Sequence, residues 1–299
     1  MANNSPYQKI HVVLNPASGK DEPIINTLND VFHQHGVDWQ VSITKKYGDA
    51  TEQAKAAIAS GADLVVGYGG DGTQHEIANA VMSSGGKIPM GILPGGTGNG
   101  FAREMGIPKT LRPAVEVLCG RNKIRKIDVA QVGDQYFIQR LYVGIEPEEQ
   151  TSREMKDKYG VFAYAISMAQ RRKRHKEVNY QVTIDGESHQ FQAVKVYVVN
   201  SGMTGSGFAI THTYAIDDGV LDAFFLDSAD LNTMAAATSR FLHLDTKKAH
   251  KYYRQGREIT IDTDPDQPVW FDGEYLGRTP ITVKALPGVL PIVVPRSRD

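Results

Sequence analysis

Three glycine-rich turns contain the residues of this sequence that are best suited to hold a phosphate. They read NPASGK (15–20), GGDGT (69–73) and LPGGTGNGFAR (93–103). Glycine lets the backbone approach a bulky anion, and free N–H groups at the start of a helix can donate to phosphate oxygens. Neutral side-chain donors come from Ser18, Thr73, Thr97 and Asn99. Each turn alone could be an ordinary loop, but together they predict a site for a polyphosphate such as ATP.

The second turn also matches the spelling of a dinucleotide-binding fingerprint. Gly67, Gly69 and Gly72 form G-x-G-x-x-G, yet this turn follows the third predicted strand and not the first. No acidic residue lies about 20 positions on, where one would hold a ribose, and Asp71 places an anion where a pyrophosphate would approach. A nicotinamide cofactor is therefore disfavoured. The P-loop pattern G-x-x-x-x-G-K-[ST] is missing from the sequence as well.

The segments around these turns alternate between strands and helices as far as about Gly120. Short apolar runs such as KIHVVLNP and DLVVGYGG are typical of buried strands, while EPIINTLNDVFHQHG places apolar residues on one helical face and ends at Gly36. Strict alternation predicts an α/β domain with a parallel sheet and helices on both faces, and the three glycine-rich turns make it a candidate nucleotide-binding domain. The carboxyl ends of parallel strands lie at one edge of the sheet, so the three turns can converge there.

From about residue 129 the pattern changes to strands. A hairpin is predicted at Asp185-Gly186, between two alternating runs, and helices interrupt the strands around 152–172 and 230–243. We therefore predict a β-rich, antiparallel, sandwich-like C-terminal domain. The division assigns residues 1–128 to the α/β domain and 129–291 to the β-rich domain, with the tail 292–299 as a candidate to return to the first.

Composition excludes several classes of protein. The chain has 299 residues, of which 41% are hydrophobic and 22% charged, and its formal net charge is −1, so charge does not favour nucleic acid. Cys119 is the only cysteine, which rules out an intramolecular disulfide. The polar N-terminus MANNSPYQKIHVV lacks the apolar core of a signal peptide, and no run of about 18 apolar residues is present. We expect a cytoplasmic protein without a membrane span.

The turns and a late DGE (272–274) resemble the signatures of the diacylglycerol kinase catalytic domain family. This family includes sphingosine kinases, ceramide kinases and bacterial soluble lipid kinases, and the resemblance covers nearly the whole chain. GGDGT alone is shared with NAD kinases and approximately with phosphofructokinases, so the combination is the more specific pattern. The resemblance implies an ATP-dependent lipid kinase whose active site lies in the cleft between the α/β domain and the β-rich domain.

The resemblance also implies which residues line the ATP site. They include Thr44, at the end of the second predicted strand and so at the same sheet edge as the turns. The implied set is Asn15, Pro16, Ala17, Ser18, Gly19, Thr44, Gly69, Gly70, Asp71, Gly72, Thr73, Thr97 and Asn99.

The late motif WFDGEYLG supplies two candidate catalytic carboxylates, Asp272 and Glu274. Phosphoryl transfer to an alcohol needs the hydroxyl in line and its proton accepted. Carboxylates two apart in a strand point to opposite faces, although an Asp-Gly turn can relax that. The resemblance implies that this motif holds the general base; we favour Glu274 as the base with Asp272 in support. A plain Asp-Gly hairpin turn is the alternative.

Two magnesium sites are implied by the resemblance. A structural Mg²⁺ would take the carbonyls of Ala215 and Val220 and the carboxylate of Asp218, an oxygen-only set that suits a hard cation. The catalytic Mg²⁺, which bridges the ATP phosphates, would be held by Asp71, Asp128 and water. The alternatives are an Asp-Gly turn at 218–219 and a cap at the domain junction for Asp128.

The chain departs from the family pattern in two places. Gly100 stands where relatives commonly have Asp, which removes a carboxylate near the phosphates or the metal. The stretch GIEPEE, with Glu146 and Pro147, replaces a G-x-D-A stretch that helps to recognise the lipid head group. Metal affinity and the identity of the lipid, diacylglycerol or a related lipid alcohol, are therefore open.

A lipid kinase without a span must meet its substrate at a membrane surface, at the inner face of the membrane for a cytoplasmic protein. Two basic stretches, QRRKRHKE (170–177) and KKAHKYYRQGR (247–257), are candidates for contact with anionic lipids, or else are solvated helix ends. The oligomeric state is open and includes a homodimer.

Two rival functions remain. An NAD kinase shares GGDGT and a β-rich second domain, although NPASG and NGFAR favour the lipid kinase. A nucleotide- or lipid-binding protein with impaired catalysis is the other rival, and Gly100 and GIEPEE are the features that motivate it.

Overall fold

The computed structural model describes residues 5–18, 22–120, 122–144, 177–201, 215–226, 253–272 and 274–296. Several features predicted from the sequence lie outside these ranges. They are the helices around 152–172 and 230–243, the Glu146-Pro147 stretch, Gly19, and most of the basic stretches at 170–177 and 247–257.

The described part of the chain contains helices mainly before residue 120 and strands throughout. The helices are α1 (Ile24–Gln34), α2 (Asp49–Ala59), α3 (Asp71–Ser83), α4 (Gly100–Glu104) and α5 (Leu111–Cys119), with a short 3-10 turn at Pro16–Ser18. The strands are β1 (Lys9–Leu14), β2 (Asp38–Ile43), β3 (Leu64–Gly69), β4 (Met90–Pro94), β5 (Asn122–Val132), β6 (Gln135–Phe137), β7 (Arg140–Gly144), β8 (Val178–Ile184), β9 (Glu187–Ala193), β10 (Lys195–Val199), β11 (Leu221–Leu226), β12 (Tyr253–Gly256), β13 (Glu258–Asp264), β14 (Pro268–Phe271), β15 (Glu274–Arg278) and β16 (Ile281–Pro295).

The N-terminal part is an α/β unit built on four parallel strands in the order β2-β1-β3-β4. All six residues of β3 are buried, so both faces of this strand are covered. Helix α1 packs against α5, and α2 packs against α3. A parallel strand that is buried on both faces is the pattern of a sheet between two helix layers, which confirms the predicted N-terminal fold class.

The C-terminal part is an antiparallel β-sandwich, as predicted. Strands β8, β9 and β13 continue the large sheet, and a second sheet of six strands has the order β12-β11-β10-β7-β14-β15. Both sheets contribute to one buried core, which includes Val182 and Ile261 from the first and Val196 and Phe225 from the second. The predicted hairpin joins β8 to β9, and Asp185 and Gly186 both have positive φ, as a two-residue primed turn requires.

One long strand belongs to both units. Strand β16 pairs with β5 in antiparallel fashion from Val283–Val132 to Pro295–Asn122, and Ile292 also pairs with Met90 of the parallel sheet. The boundary proposed at residue 128 therefore falls inside β5. Because β5 and β16 extend along both units, they join the parallel strands of the α/β unit to the first sheet of the β-sandwich.

Candidate active site

The three glycine-rich turns meet at the carboxyl edge of the parallel strands. The backbone N–H of Asn15 donates to the carbonyl of Tyr68 at 3.0 Å, and its side-chain amide donates to Oγ1 of Thr73, also at 3.0 Å. The N–H of Gly95 donates to the carbonyl of Gly69 at 3.0 Å. The first turn is thus bonded to the second, and the second to the third, as the parallel topology predicts.

The second and third turns are in direct backbone contact. A Cβ added at Gly96 would lie 2.6 Å from Cα of Gly70, and one added at Gly69 would overlap the side chain of Thr73. Only glycine permits such an approach. The result is that two glycine-rich stretches of backbone lie side by side at the sheet edge, as the predicted polyphosphate cradle requires.

Asp71 joins the same two turns through its carboxylate. As the first residue of α3, it accepts hydrogen bonds from the N–H groups of Gly100 and Phe101, each at 3.0 Å, at the start of α4. Asn99, just before them, has a left-handed φ of 52°. The absence of a side chain at Gly100 therefore leaves Asp71 as the carboxylate at this junction.

The other residues predicted for the ATP site surround this junction or lie beside it. Thr44 follows β2, is only 8% exposed, and donates its N–H to the carbonyl of Leu14 at 2.9 Å. The side-chain oxygen of Asn15 accepts the N–H of Ala17 at 3.0 Å and closes the short turn that contains Pro16 and Ser18. The side chain of Thr97 is exposed, and Gly72 has open space around it.

Asp272 is buried and fully bonded at the turn between β14 and β15. Its side chain is 3% exposed and accepts Nδ1 of His75 at 2.8 Å. It also accepts the N–H groups of Arg140 at 2.9 Å, Ile138 at 3.2 Å and Gln139 at 3.4 Å. Burial opposes ionisation, but the hydrogen bonds of His75 and the backbone outweigh it and hold the pKa of Asp272 below its ordinary value.

His75 is fixed from its other side by Asn79. The amide of Asn79 donates to the carbonyl of Tyr136 at 2.8 Å and accepts the N–H of Tyr136 at 3.1 Å, so its orientation is set. Its nitrogen then lies 3.1 Å from Nε2 of His75. These partners assign the imidazole proton to Nδ1, which donates to Asp272. Helix α3, which begins in GGDGT, is thereby tied to the turn that precedes Glu274.

Glu274 begins β15 and faces the α/β unit. The hydroxyl of Tyr47, in the loop between β2 and α2, donates to Oε2 of Glu274. Burial, and after it the hydrogen bond and charge of Glu274, raises the pKa of Tyr47 above its ordinary value, so the phenol keeps its proton. Glu274 is partly exposed, whereas Asp272 is not accessible.

A third carboxylate, Glu76, lies close to Glu274. It is 8% exposed and accepts the N–H of Ala50 at 3.1 Å at the start of α2. Burial is the main cause that raises the pKa of Glu76; the N–H donors around α2 oppose the rise, and the negative charge of Glu274 adds to it. The cleft between the two units is therefore acidic at this point.

Asp128 and the segment 215–220 lie together at the junction of β5 and β16. The carboxylate of Asp128, 2% exposed, accepts the N–H of Gly219 and the N–H of Gly288 at 2.7 Å, and its own N–H donates to the carbonyl of Ile216 at 2.8 Å. Oδ1 of Asp218 accepts the N–H of Val220 at 3.1 Å. Asp128 thus bonds these segments together at the junction, and its role as a magnesium ligand stays a prediction.

The two magnesium sites remain predictions. Within the described part of the chain, no three His, Cys, Asp or Glu side chains come together as metal ligands. The side chains of Ala215 and Asp218 are exposed. Asp71 and Asp128 each bind backbone N–H groups of different segments, Asp71 at the start of α4 and Asp128 beside Gly219.

Four residues of this site were not found from the sequence: Tyr47, His75, Glu76 and Asn79. His75 and Glu76 lie on α3 directly after GGDGT, and the i, i+4 spacing to Asn79 was a signal that could have identified a bonded face. Tyr47, in the run KKYGD after Thr44, carried no such signal. Its partner Glu274 is 227 residues away.

Comparison with known families divides the chain into two matched regions. The model of the diacylglycerol kinase catalytic domain matches residues 9–132. The model of the YegS C-terminal NAD kinase beta sandwich-like domain matches residues 140–294. The described part of the chain contains no helix that is long and apolar enough to cross a membrane.

Individual relatives match over almost the full length. A diacylglycerol kinase of Staphylococcus saprophyticus is 28% identical over 284 residues, which cover 91% of this chain and 91% of that protein. A diacylglycerol kinase of Staphylococcus epidermidis is 28% identical over 300 residues, which cover 97% of this chain and 93% of that protein. A crystal structure of a diacylglycerol kinase from Bacillus anthracis has a TM-score of 0.79 at 26% identity, and the match covers 97% of this chain and 98% of that chain.

Proposed function

Because the chain belongs to the diacylglycerol kinase catalytic domain family, we propose that it transfers the γ-phosphate of ATP to a hydroxyl group of diacylglycerol or a related lipid alcohol. One observation carries the proposal. His75, two residues after GGDGT, binds Asp272, two residues before Glu274. This contact brings the glycine-rich turns and an accessible carboxylate to one cleft, as transfer from a nucleotide to an alcohol requires.

The two carboxylates of the late motif differ in what they can do. Asp272 already accepts four donors and is buried, so it is suited to hold the turn. Glu274 is partly exposed, and the hydroxyl of Tyr47 binds its Oε2 and not its Oε1. Glu274 would accept the proton of the lipid hydroxyl while the oxygen of that hydroxyl forms a bond to the γ-phosphorus of ATP. The bond from that phosphorus to the bridging oxygen breaks, and ADP leaves.

The residues present at the turns suit a magnesium ion that arrives with ATP. Mg²⁺ is commonly held by one or two carboxylates together with phosphates and water. Each oxygen of Asp71 accepts one N–H group and keeps a further lone-pair direction for a cation or its water. Bound there, the ion would neutralise charge on the transferring phosphate. The N–H groups at the start of α3, which begins at Asp71 in GGDGT, would orient the phosphates.

Incubation of the purified chain with γ-labelled ATP, Mg²⁺ and fractionated bacterial lipids tests this function. We expect label in one class of lipid alcohol and none in NAD when NAD is the only acceptor. Label in NAD would instead identify an NAD kinase. Nucleotide binding by calorimetry without transfer to any acceptor would identify a catalytically impaired binding protein.

Gly96→Ala is expected to weaken ATP binding by about tenfold or more. The added Cβ collides with the backbone of Gly70 at 2.6 Å, so the two turns must separate, and overpacking of this kind costs about 1–3 kcal/mol. Calorimetric titration with ATP measures the change. Gly91→Ala is the matched control, since its Cβ would crowd Leu118 at 2.7 Å in the middle of β4. It should lower stability and leave ATP affinity unchanged; equal affinity losses in both variants would contradict the prediction.

A further inference from the structure

Tyr47 is an aromatic side chain that is 65% exposed and nevertheless reaches across the cleft to a carboxylate. It belongs to the α/β unit, whereas its partner Glu274 belongs to the β-sandwich. A single exposed hydrophobic side chain is ordinary on a protein surface, so it is the hydrogen bond of Tyr47 to the other unit that distinguishes this residue. Here the only polar atom of the side chain is directed at the carboxylate that we propose as the base.

The loop that carries Tyr47 is held at both ends. Before it, Thr44 is bonded to β1 through Leu14. The N–H groups of Lys45 and Lys46 donate to Oδ2 of Asp49 at 2.8 and 3.1 Å. After it, Gly48 takes a left-handed φ of 87° and caps α2. The loop is therefore shaped to present the phenol at a fixed place.

A neutral donor suits the environment of Glu274. Glu76 is a second, buried carboxylate nearby, and its charge interacts unfavourably with that of Glu274. A phenol that keeps its proton can bind one carboxylate oxygen and still leave the negative charge in place. A lysine in the same position would neutralise that charge and reduce the tendency of the carboxylate to accept a proton.

We propose that Tyr47 is a positioning residue for phosphoryl transfer, which fixes Oε2 of Glu274 so that Oε1 faces the acceptor hydroxyl. The inference rests on the proposed function and extends it. Glu274 has three rotatable bonds, and without the phenol its carboxylate samples several rotamers. When the phenol of Tyr47 is bonded to Glu274, the loop that follows Thr44, beside the glycine-rich turns, determines the orientation of the Glu274 carboxylate.

Tyr47→Phe tests the proposal, because it removes one hydroxyl and keeps the ring. We expect kcat to fall about ten- to hundredfold, as for loss of a hydrogen bond to a charged group, while KM for ATP and the unfolding transition stay unchanged. The loss should be confined to kcat. A purely structural contact would instead change the unfolding transition.

The control is Tyr7→Phe, which removes the hydroxyl of a tyrosine at the opposite edge of the parallel sheet, before β1. It should leave kcat as in the wild type. A Tyr47→Phe enzyme with wild-type kcat would overturn the role of Tyr47 alone. A wild-type chain that phosphorylates no lipid would overturn the proposed function, and the role of Tyr47 with it.

A second substitution covers the case in which Tyr47→Phe disturbs the fold. Incorporation of 3,5-difluorotyrosine at position 47 keeps the shape of the side chain and lowers the pKa of the phenol. We expect kcat to fall on the alkaline side, in a pH range where the wild type is still fully active, because the fluorinated phenol loses the proton that it donates. An unchanged alkaline limb would overturn the proposal.

Discussion

Glu274→Gln should lower kcat by about 10²- to 10⁴-fold, the usual range for loss of a general base. Affinity for ATP and the unfolding transition should stay as in the wild type. The substitution keeps the size of the side chain, removes its charge and replaces one carboxylate oxygen by an amide nitrogen. If Glu274 accepts the proton of the lipid hydroxyl, no group of comparable accessibility is left in the described part of the turn, because Asp272 is buried and bonded.

The fold should tolerate this change, since Glu274 contributes little to the structure of the hairpin. Its side chain is partly exposed, and the partner described for it is the hydroxyl of Tyr47. An amide oxygen can accept the same hydroxyl. The connection between the two units runs through Asp272 and His75, which the substitution leaves intact.

Mass spectrometry of the lipids phosphorylated by each protein measures the effect. The matched control is Glu258→Gln, because Glu258 is an exposed glutamate on β13 that pairs with Lys284 at 2.9 Å. Exposed pairs of this kind contribute little to stability, and kcat should not change. A Glu274→Gln protein that yields the wild-type products at the wild-type rate would show that another group accepts the proton.

Local sequence patterns were sufficient for most of the fold. The apolar runs and the glycine turns predicted the parallel unit, and Asp185-Gly186 predicted the hairpin between β8 and β9, because both patterns depend on residues that are close in the chain. The convergence of the phosphate-binding turns could also be predicted. It follows from the rule that parallel strands end at one sheet edge.

The cross-cleft contacts could not be predicted in the same way. His75 and Asp272 are 197 residues apart, one on α3 of the α/β unit and the other at the end of β14 in the β-sandwich. No local periodicity encodes such a contact. The sequence could identify Asp272 and Glu274 as two carboxylates on opposite faces. The burial of Asp272 and the partial exposure of Glu274 depend on the residues of the α/β unit that contact them, His75 and Tyr47.

Asp272→Asn should have a different effect from Glu274→Gln: a loss of stability of about 3 kcal/mol together with a loss of kcat. The carboxylate accepts His75 Nδ1 and the N–H groups of Ile138 and Arg140 among its donors, in a site that is 3% exposed. An amide replaces one accepting oxygen with a donor that faces other donors. Hydrogen bonds to a buried charge contribute about 1.5–3 kcal/mol each.

The stability difference should depend on pH in a defined direction. The pKa of Asp272 is lower in the folded protein than its ordinary value near 3.9. Its contribution is therefore fully present above about pH 4 and is lost as the pH falls through the folded pKa. The difference in unfolding free energy between wild type and Asp272→Asn should shrink as the pH falls from about 4 towards 3. Burial lowers the pKa of His75, but the hydrogen bond and charge of Asp272 outweigh burial and raise it, so the difference should also shrink as the pH rises above 6.5 through this raised pKa.

Urea unfolding at several pH values, with kcat measured on the same samples, checks both effects. Asp262→Asn is the control, because Asp262 is exposed on β13 and its substitution should change stability by less than about 0.5 kcal/mol.

Comparison of Asp272→Asn with Glu274→Gln then distinguishes a residue that positions the hairpin from the residue that accepts the proton. If Asp272→Asn lost kcat and kept full stability, the proton would be accepted at Asp272 and not at Glu274. If it lost stability and kept kcat, the hydrogen bond between His75 and Asp272 would stabilise the fold without positioning Glu274 for the reaction.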